Sequence, residues 1–411
     1  MRTPGGARAA WLAWTTAAVV SIALLALTHY ATRDPDSRLY AGISARLGRQ
    51  PVRQWIAPQW WGFWGLEGPY CEHPAGIFLA PAALARLGFP AEQAAYAVNV
   101  VYQAASLALV ALIARFLVDP AEARALGWLL QLLPIAFVFR IRANHEYALL
   151  AGLLLAIYST ERARSRPRWT LGMIAGFCAV LLVKGVFAVM VPLTCALWLL
   201  ARAERPADAR AAVPAWTAVA LMPVVGAAAA WGYEALYFDA TGRSFLAVYL
   251  GRQLPAGTFT AGSPWLRVPY AAAWYLARIA WYAFPWSLFA GCAAWRGAKA
   301  GCLWPPALRP GAGAGRDWPT ARQGAWFALV SAFALTAGLS LAFRKADRYL
   351  FPVYFLVGAV GAIDAARRYA PLARLVRRLD RPWVPAAAYL GLFLLALLTA
   401  GSLPTITFWR H

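Results

Sequence analysis

Charged and metal-binding residues are scarce in this chain. Asp, Glu, Lys and Arg make up only 14% of its 411 residues, whereas soluble domains usually have about 25%. It has five cysteines and four histidines, with no Cys-x-x-Cys pair, no His-Glu-x-x-His motif and no Gly-x4-Gly-Lys phosphate loop. These absences exclude a small disulfide scaffold and give no support to a zinc site or a P-loop.

The chain is instead rich in hydrophobic and basic residues. Hydrophobic residues make up 61% of it and the mean hydropathy is +0.53, values that exclude a soluble enzyme or a disordered chain. Basic residues outnumber acidic ones by 39 to 17. Because arginines also flank membrane spans on the cytoplasmic side, this charge does not require a nucleic-acid partner, and none is predicted.

Runs of about 20 apolar residues predict membrane-spanning helices. We expect an all-α polytopic membrane protein with about eleven such helices. The runs are 10–28, 93–117, 124–141, 145–161, 169–184, 186–202, 213–234, 270–294, 323–342, 349–366 and 383–403.

The arginine distribution predicts the orientation. Short arginine-rich loops follow 161, 202, 294 and 366, so the positive-inside rule places the N-terminus in the cytoplasm and the C-terminus outside. Two long loops, 29–92 and 235–269, then lie outside. The first contains the run 75–88, which is too short to span and predicts a helix at the membrane interface.

The domain organisation expected is a single membrane domain over 1–411. Residues 1–202, with the first outer loop, would form a catalytic module, and 203–411 would form more variable helices with the second outer loop. A Pro/Gly-rich linker is predicted at 304–319. No soluble C-terminal domain is expected.

Polar clusters recur beside the apolar runs on the predicted outer side. Ionisable groups at membrane depth are costly and usually face a cavity or each other. Five clusters are candidates for chemistry: 33–40, 67–74, 140–147, 184–185 and 343–349.

Simpler interpretations of these clusters stay open. Asp36 would fit the N-cap of a helix over the following residues. Glu146 follows Arg142 by four residues, so on a helix the two would form an ion pair. Lys184 could extend to the interface, with Gly185 allowing a tight turn between two spans.

Together the clusters suit one kind of reaction. A carboxylate can orient or deprotonate an incoming hydroxyl, and cations can neutralise a departing phosphate. An apolar groove beside them would hold a lipid tail.

The order of the clusters resembles the GT-C glycosyltransferases of the protein O-mannosyltransferase and aminoarabinose transferase superfamily. The resemblance rests on five short motifs, and it covers about residues 10–200 well and the rest loosely. At 37 a serine stands where the family usually has glutamate, and at 73 a histidine stands where its lipid A branch has lysine. The matching segments are 36–41, 72–75, 142–146, 184–186 and 348–352.

The resemblance implies a GT-C fold and an inverting transfer from a sugar on a polyprenyl phosphate, on the periplasmic side of the bacterial inner membrane. The acceptor would be a lipid, a glycan or a protein hydroxyl, with membrane lipids around the chain. No cofactor is required, although a divalent cation at the carboxylates stays open.

The residue roles predicted on this basis fall into three groups. Asp36 would be the catalytic carboxylate. The donor phosphate would be bound by His73, Arg142, Lys184 and Arg348. The sugar or acceptor would be bound by Glu72, His145, Glu146 and Tyr349.

Two other functions stay open at this stage. One is a transporter or flippase of a lipid or solute, which discontinuous helices at mid-membrane would favour. The other is a polysaccharide ligase or polymerase, which also uses a lipid-linked sugar but a longer one.

Overall fold

The computed structural model describes residues 4–32, 34–60, 62, 65–202, 206–253, 264–299, 320–341 and 346–400. Within these ranges the chain is helical and has no β-strand, only an isolated bridge between Gln59 and Pro69. The all-α class is confirmed. The predicted linker, Arg33, Arg344, Lys345 and the C-terminus lie outside the described residues.

Nine helices form the first half of the chain. They are α1 (Pro4–Leu27), α2 (Pro35–Gly48), α3 (Gly76–Arg86), α4 (Ala94–Ala114), α5 (Pro120–Leu129), α6 (Pro134–Val138), α7 (Glu146–Ala163), α8 (Thr170–Lys184) and α9 (Met190–Ala201).

Eight more helices are described in the second half. They are α10 (Pro206–Thr241), α11 (Phe245–Gln253), α12 (Pro264–Tyr282), α13 (Trp286–Lys299), α14 (Thr320–Ser340), α15 (Phe351–Arg368), α16 (Ala370–Arg378) and α17 (Val384–Thr399).

Six helical segments are long and apolar enough to cross a membrane, which makes the chain a multi-pass membrane protein. A seventh is gained if the bent pair Pro120–Leu132 and Pro134–Ile141 counts as one span. The six are Arg8–Leu27, Ala94–Ala114, Pro167–Ala201, Arg210–Thr241, Thr320–Ser340 and Asp347–Arg368. The count of eleven and the orientation stay predictions.

Three predicted boundaries are wrong. The run 124–141 is bent by 67° just before Pro134. A proline disfavours helical backbone in the residue that precedes it. The run 270–294 is divided between α12 and α13. The outer loop 235–269 is largely helical where it is described, because α10 continues to Thr241 and α11 follows.

The segment Pro167–Ala201 folds back on itself at Gly185, as the sequence predicted. Lys184, at the end of α8, lies 3.6 Å from Glu146 at the start of α7. Arg202, just after α9, lies 3.0 Å from Glu161, fifteen residues further along α7 or about 22 Å away. Helices α8 and α9 therefore run in opposite directions along α7.

The α7–α8 contact is close because it is formed by small residues. A Cβ on Gly176 would lie 2.6 Å from the carbonyl oxygen of Gly152. Small residues let helix backbones approach closely in membrane bundles. This contact fixes the two helices that carry Glu146 and Lys184.

Candidate functional site

Asp36 lies at the start of α2, in the predicted outer loop that follows α1. Asp34 is the N-cap residue, since its carboxylate accepts a hydrogen bond from the backbone N–H of Ser37 at 3.0 Å. Pro35 occupies the first turn, where its fixed φ suits a helix start. The N-cap interpretation of Asp36 is therefore wrong, and its carboxylate faces other groups.

Asp36 forms an ion pair with Arg348, the second residue of a 3-10 helix at Asp347–Leu350. Each side chain is 27% exposed. The Arg348 Nε atom also lies 3.9 Å from Glu146 Oε1. One guanidinium thus lies between the carboxylates of α2 and α7, which are more than a hundred residues apart in sequence.

Glu146 and Lys184 form the buried part of the cluster. Their charged atoms are 3.6 Å apart, and each side chain is 1% exposed. Neither carboxylate oxygen of Glu146 has a hydrogen bond of regular geometry among the described residues. Burying a charge is costly unless it is fully paired, so this carboxylate retains capacity to bind a ligand.

Aromatic rings surround these charges. The Lys184 Nζ atom lies 4.7 Å from the ring centroid of Phe187 and 5.1 Å from that of Tyr349. On the other side, the rings of His145 and Tyr40 have centroids 5.3 Å apart. Such a lining excludes water and strengthens the electrostatic interactions inside it.

His73 belongs to the same lining. Its ring centroid lies 4.8 Å from that of His145. Burial lowers the pKa of His73 to about 3, and the charge of Lys184 adds to the shift. His73 is therefore neutral at ordinary pH, and it does not supply the fixed positive charge of the lysine that stands at this position in the lipid A branch.

Glu72 lies near this group. Burial raises the pKa of Tyr40 far above its usual value, and the charges of nearby Tyr70, Glu146 and Glu72 raise it further. This electrostatic influence places Glu72 in the neighbourhood of the cluster.

Arg142 has a different partner from the one its spacing suggested. It pairs with Asp34, with 3.3 Å between Nη1 and Oδ1. Arg142 has extended backbone and α7 begins only at Glu146, so the four-residue spacing does not bring the two onto one helix face. The simple Arg142–Glu146 ion pair is therefore not what the structure forms.

The Asp34–Arg142 pair belongs to a junction between the first outer loop and the segment before α7. The Ser37 hydroxyl lies 2.5 Å from Asn144 Oδ1 and 2.6 Å from Asp34 Oδ2. It also accepts a hydrogen bond from the backbone N–H of Ala143 at 3.1 Å. Ser37, at the position where the GT-C family that the sequence resembles usually has glutamate, thus connects the two segments.

Arg140 contributes to a separate network. Its guanidinium donates to the side-chain and backbone oxygens of Gln131, both at 3.3 Å, and it lies 5.0 Å from the ring of Tyr389 on α17. These contacts stabilise the bend between α5 and α6.

An apolar cavity of about 540 Å³ lies deeper in the bundle. Its lining includes Leu150, one turn after Glu146, and Pro352, one turn after Arg348. It continues along α15 to Arg368. The charged cluster therefore lies next to an apolar cavity.

Sequence reasoning missed several residues that shape the site. Phe187 was not singled out, because an aromatic residue in an apolar run has no distinctive signal. Tyr249 lies in the predicted second loop, 235–269, where an aromatic residue has no distinctive signal, yet its hydroxyl lies 3.1 Å from the Lys184 carbonyl oxygen and 2.9 Å from the Val186 nitrogen. The described residues contain no group of three His, Cys, Asp or Glu arranged to hold a metal ion.

Comparison with known proteins gives one family match. Residues 72–231 match the family model of dolichyl-phosphate-mannose-protein mannosyltransferases. No curated protein sequence matches significantly.

Two solved structures share the fold. One is ArnT from Cupriavidus metallidurans bound to undecaprenyl phosphate, with 16% identity and a TM-score of 0.56 over 95% of this chain and 77% of that one. The other is the same protein in the apo state, with 16% identity and a TM-score of 0.51 over 94% and 77%. The chain therefore shares the fold of ArnT, and the family match over residues 72–231 agrees with the resemblance found in the sequence.

Proposed function

We propose that this membrane protein transfers a sugar from a polyprenyl-phosphate donor to an acceptor at the outer face of the bacterial inner membrane, with inversion. The observation that carries the proposal is the cluster of Asp36, Glu146, Lys184 and Arg348. These residues come from four separate segments and meet beside an apolar cavity.

In this proposal Asp36 acts on the acceptor. Its carboxylate accepts the proton of an acceptor hydroxyl while the hydroxyl oxygen forms a bond to the anomeric carbon. The bond from that carbon to the phosphate oxygen breaks on the opposite side, which inverts the configuration. The polyprenyl phosphate leaves with the bonding electrons.

The cations stabilise that leaving group. Lys184 and Arg348 lie in a water-poor site, where each contact to a developing charge is strengthened. Arg142 adds positive charge from its pair with Asp34, and neutral His73 adds a hydrogen-bonding nitrogen. The undecaprenyl phosphate bound to ArnT supports a lipid phosphate of this kind, and the apolar cavity suits its tail.

The remaining groups bind the sugar or the acceptor. Glu146 and His145 have buried polar atoms without regular hydrogen bonds in the described structure, and Tyr349 covers Lys184. A sugar needs several oriented donors and acceptors, and Glu72 at the edge of the cluster completes the set.

The direct test is transfer by the purified protein with a panel of polyprenyl-phosphate sugars. We expect one donor to be consumed, and binding of undecaprenyl phosphate to be lost in the triple variant Arg142→Ala, Lys184→Ala, Arg348→Ala. Arg53→Ala, at an exposed arginine of the first loop, is the control and should bind normally. Binding that survives the triple change would contradict the phosphate site.

Glu146 can be tested separately. Glu146→Gln removes a charge that lies near Lys184, His145 and Arg348. A role at the sugar predicts lost transfer per folded molecule, in addition to any loss of melting temperature from leaving buried Lys184 without its charged partner. Lost stability with full activity per folded molecule would make its pairing purely structural.

One observation favours the alternative of a transporter or flippase. The span at 120–141 is broken and bent by 67°, and discontinuous helices are typical of transporters. However, the polar groups at this break, Gln131 and Arg140, bind each other. Movement of labelled lipid across vesicles by the purified protein, without donor turnover, would favour the alternative.

A further inference from the structure

Arg278 is a charged residue within α12, and the proposed chemistry does not use it. Its Nε atom lies 3.0 Å from Asp347 Oδ1, and both side chains are 18% exposed. Its guanidinium carbon lies 4.8 Å from the ring centroid of Trp274. Burying a charge is costly unless it is paired, so the partner of Arg278 is informative.

Asp347 is held by two further groups. The Tyr282 hydroxyl donates to Asp347 Oδ2 at 3.1 Å, and the Tyr354 hydroxyl donates to the Asp347 backbone oxygen at 2.9 Å. Both tyrosines are buried. Three side chains from α12 and α15 thus fix the residue that begins the 3-10 helix.

The next two residues of that 3-10 helix enter the charged cluster. Arg348 pairs with Asp36 and approaches Glu146. Tyr349 lies over Lys184 and against Phe187, with ring centroids 5.2 Å apart. Because the helix is only four residues long, a shift of Asp347 would move both side chains.

We infer that Arg278 and Asp347 are positioning residues, which hold the 3-10 helix so that Arg348 and Tyr349 reach the donor site. The inference rests on the proposed function for its activity readout. The competing explanation is an ion pair that stabilises the fold and has no effect on the site.

A second ion pair in the chain is a matched control for a purely stabilising role of Arg278 and Asp347. Arg124 and Asp380 form another arginine–aspartate pair, with 2.6 Å between Nε and Oδ1 and 28% exposure for each side chain. None of the residues proposed to act on the substrates contacts this pair in the described structure. Arg124→Gln therefore measures what the loss of such a pair does to stability alone.

The test compares Arg278→Gln in two backgrounds. A displaced catalytic constellation can reduce the rate by about 10²-fold, so we expect Arg278→Gln to lower kcat/KM for the donor by about 10- to 100-fold. In an Arg348→Gln background the same change should have a smaller further effect, because only Tyr349 is then left to be displaced. Arg278→Lys, which keeps a charge at the pair, should lose less.

A loss of similar size in both backgrounds would overturn the inference. So would an Arg278→Gln protein that resembles Arg124→Gln in melting temperature and keeps its kcat/KM. Should Arg278→Gln fail to fold, Arg278→Lys and the milder Tyr282→Phe provide the same comparison.

A second readout does not depend on catalysis. Cysteines introduced at Phe187 and Tyr349, in a background without the native cysteines, report the position of the 3-10 helix through their crosslinking rate. We expect Arg278→Gln to slow crosslinking several-fold and Arg124→Gln to leave it unchanged. An unchanged crosslinking rate would overturn the positioning role. If Arg278→Gln slows crosslinking but the protein transfers no sugar from any donor, only the proposed function is overturned.

Discussion

At the scale of single residues, Asp34 and Asp36 stand two positions apart and have different tasks. Asp36→Asn keeps the shape of the side chain and removes its charge. Because a general base usually contributes about 10²- to 10⁴-fold, we expect transfer to fall by that range with little change in melting temperature. Steady-state transfer with the purified variant measures it.

The neighbouring carboxylate provides the contrast. Asp34→Ala removes the N-cap of α2, which typically costs about 0.5–2 kcal/mol of stability. We expect a lower melting temperature and a smaller loss of transfer per folded molecule than in Asp36→Asn. Normal turnover in Asp36→Asn would exclude the role of that carboxylate.

The lowered pKa of His73 predicts that the stability of the protein depends on pH. This pKa is about 3 in the folded protein and about 6.5 in an unfolded chain. Below pH 6.5 the unfolded chain therefore takes up a proton that the folded protein does not. Stability should fall as the pH drops from about 6.5 towards 3, by at most about 1.4 kcal/mol per pH unit for this group.

Melting temperatures in detergent at pH 7.5 and pH 5 measure this dependence. His73→Gln should lose less stability than the native protein over the same interval, because the other titrating groups are common to both. Equal losses would show that His73 takes up its proton in the folded protein as readily as in the unfolded chain.

At the scale of elements, the turn between α8 and α9 depends on Gly185. Its φ is +55°, a conformation that costs other residues energy. A Cβ there would lie 2.2 Å from the Tyr249 hydroxyl oxygen. Gly185→Ala should therefore lower the melting temperature and displace Lys184, which weakens binding of undecaprenyl phosphate.

Gly232 in α10 is the matched control. A Cβ at this position meets nothing within 4 Å, and alanine favours helix by up to about 1 kcal/mol. Gly232→Ala should keep or raise the melting temperature and leave phosphate binding unchanged. If both alanine variants behave alike, the turn does not require glycine.

Much of the helical architecture was predictable because apolar length and breakers are local properties. The run 145–161 corresponds to α7, and the glycine after Lys184 marked the turn. Pairings were not predictable, because they join segments distant in sequence. Arg348 meets Asp36 across 312 positions, and Arg142 meets Asp34 because its own backbone is not helical.

At the scale of the whole molecule, the two ends of α7 belong to opposite faces of the bundle. Glu146 and Lys184 mark one end, and Glu161 and Arg202 mark the other. Because the arginine-rich segment 162–168 is predicted in the cytoplasm, the charged cluster should face outwards.

Single-cysteine variants test this orientation. Position 67 in the first outer loop and position 165 after α7 are both exposed. A membrane-impermeant maleimide added to intact cells should label Glu67→Cys, and should label Ser165→Cys only after the membrane is permeabilised. Labelling of position 165 in intact cells would reverse the orientation.

The ion pair between Arg348 and Asp36 has a consequence for the sequence of substrate binding. While Arg348 neutralises Asp36, that carboxylate is a poor base for any hydroxyl, water included. In the proposed mechanism a donor phosphate would compete for the same guanidinium, and its arrival would release the carboxylate. The enzyme would thus follow a compulsory order, with donor before acceptor, and an acceptor that arrives first would find no base to activate it.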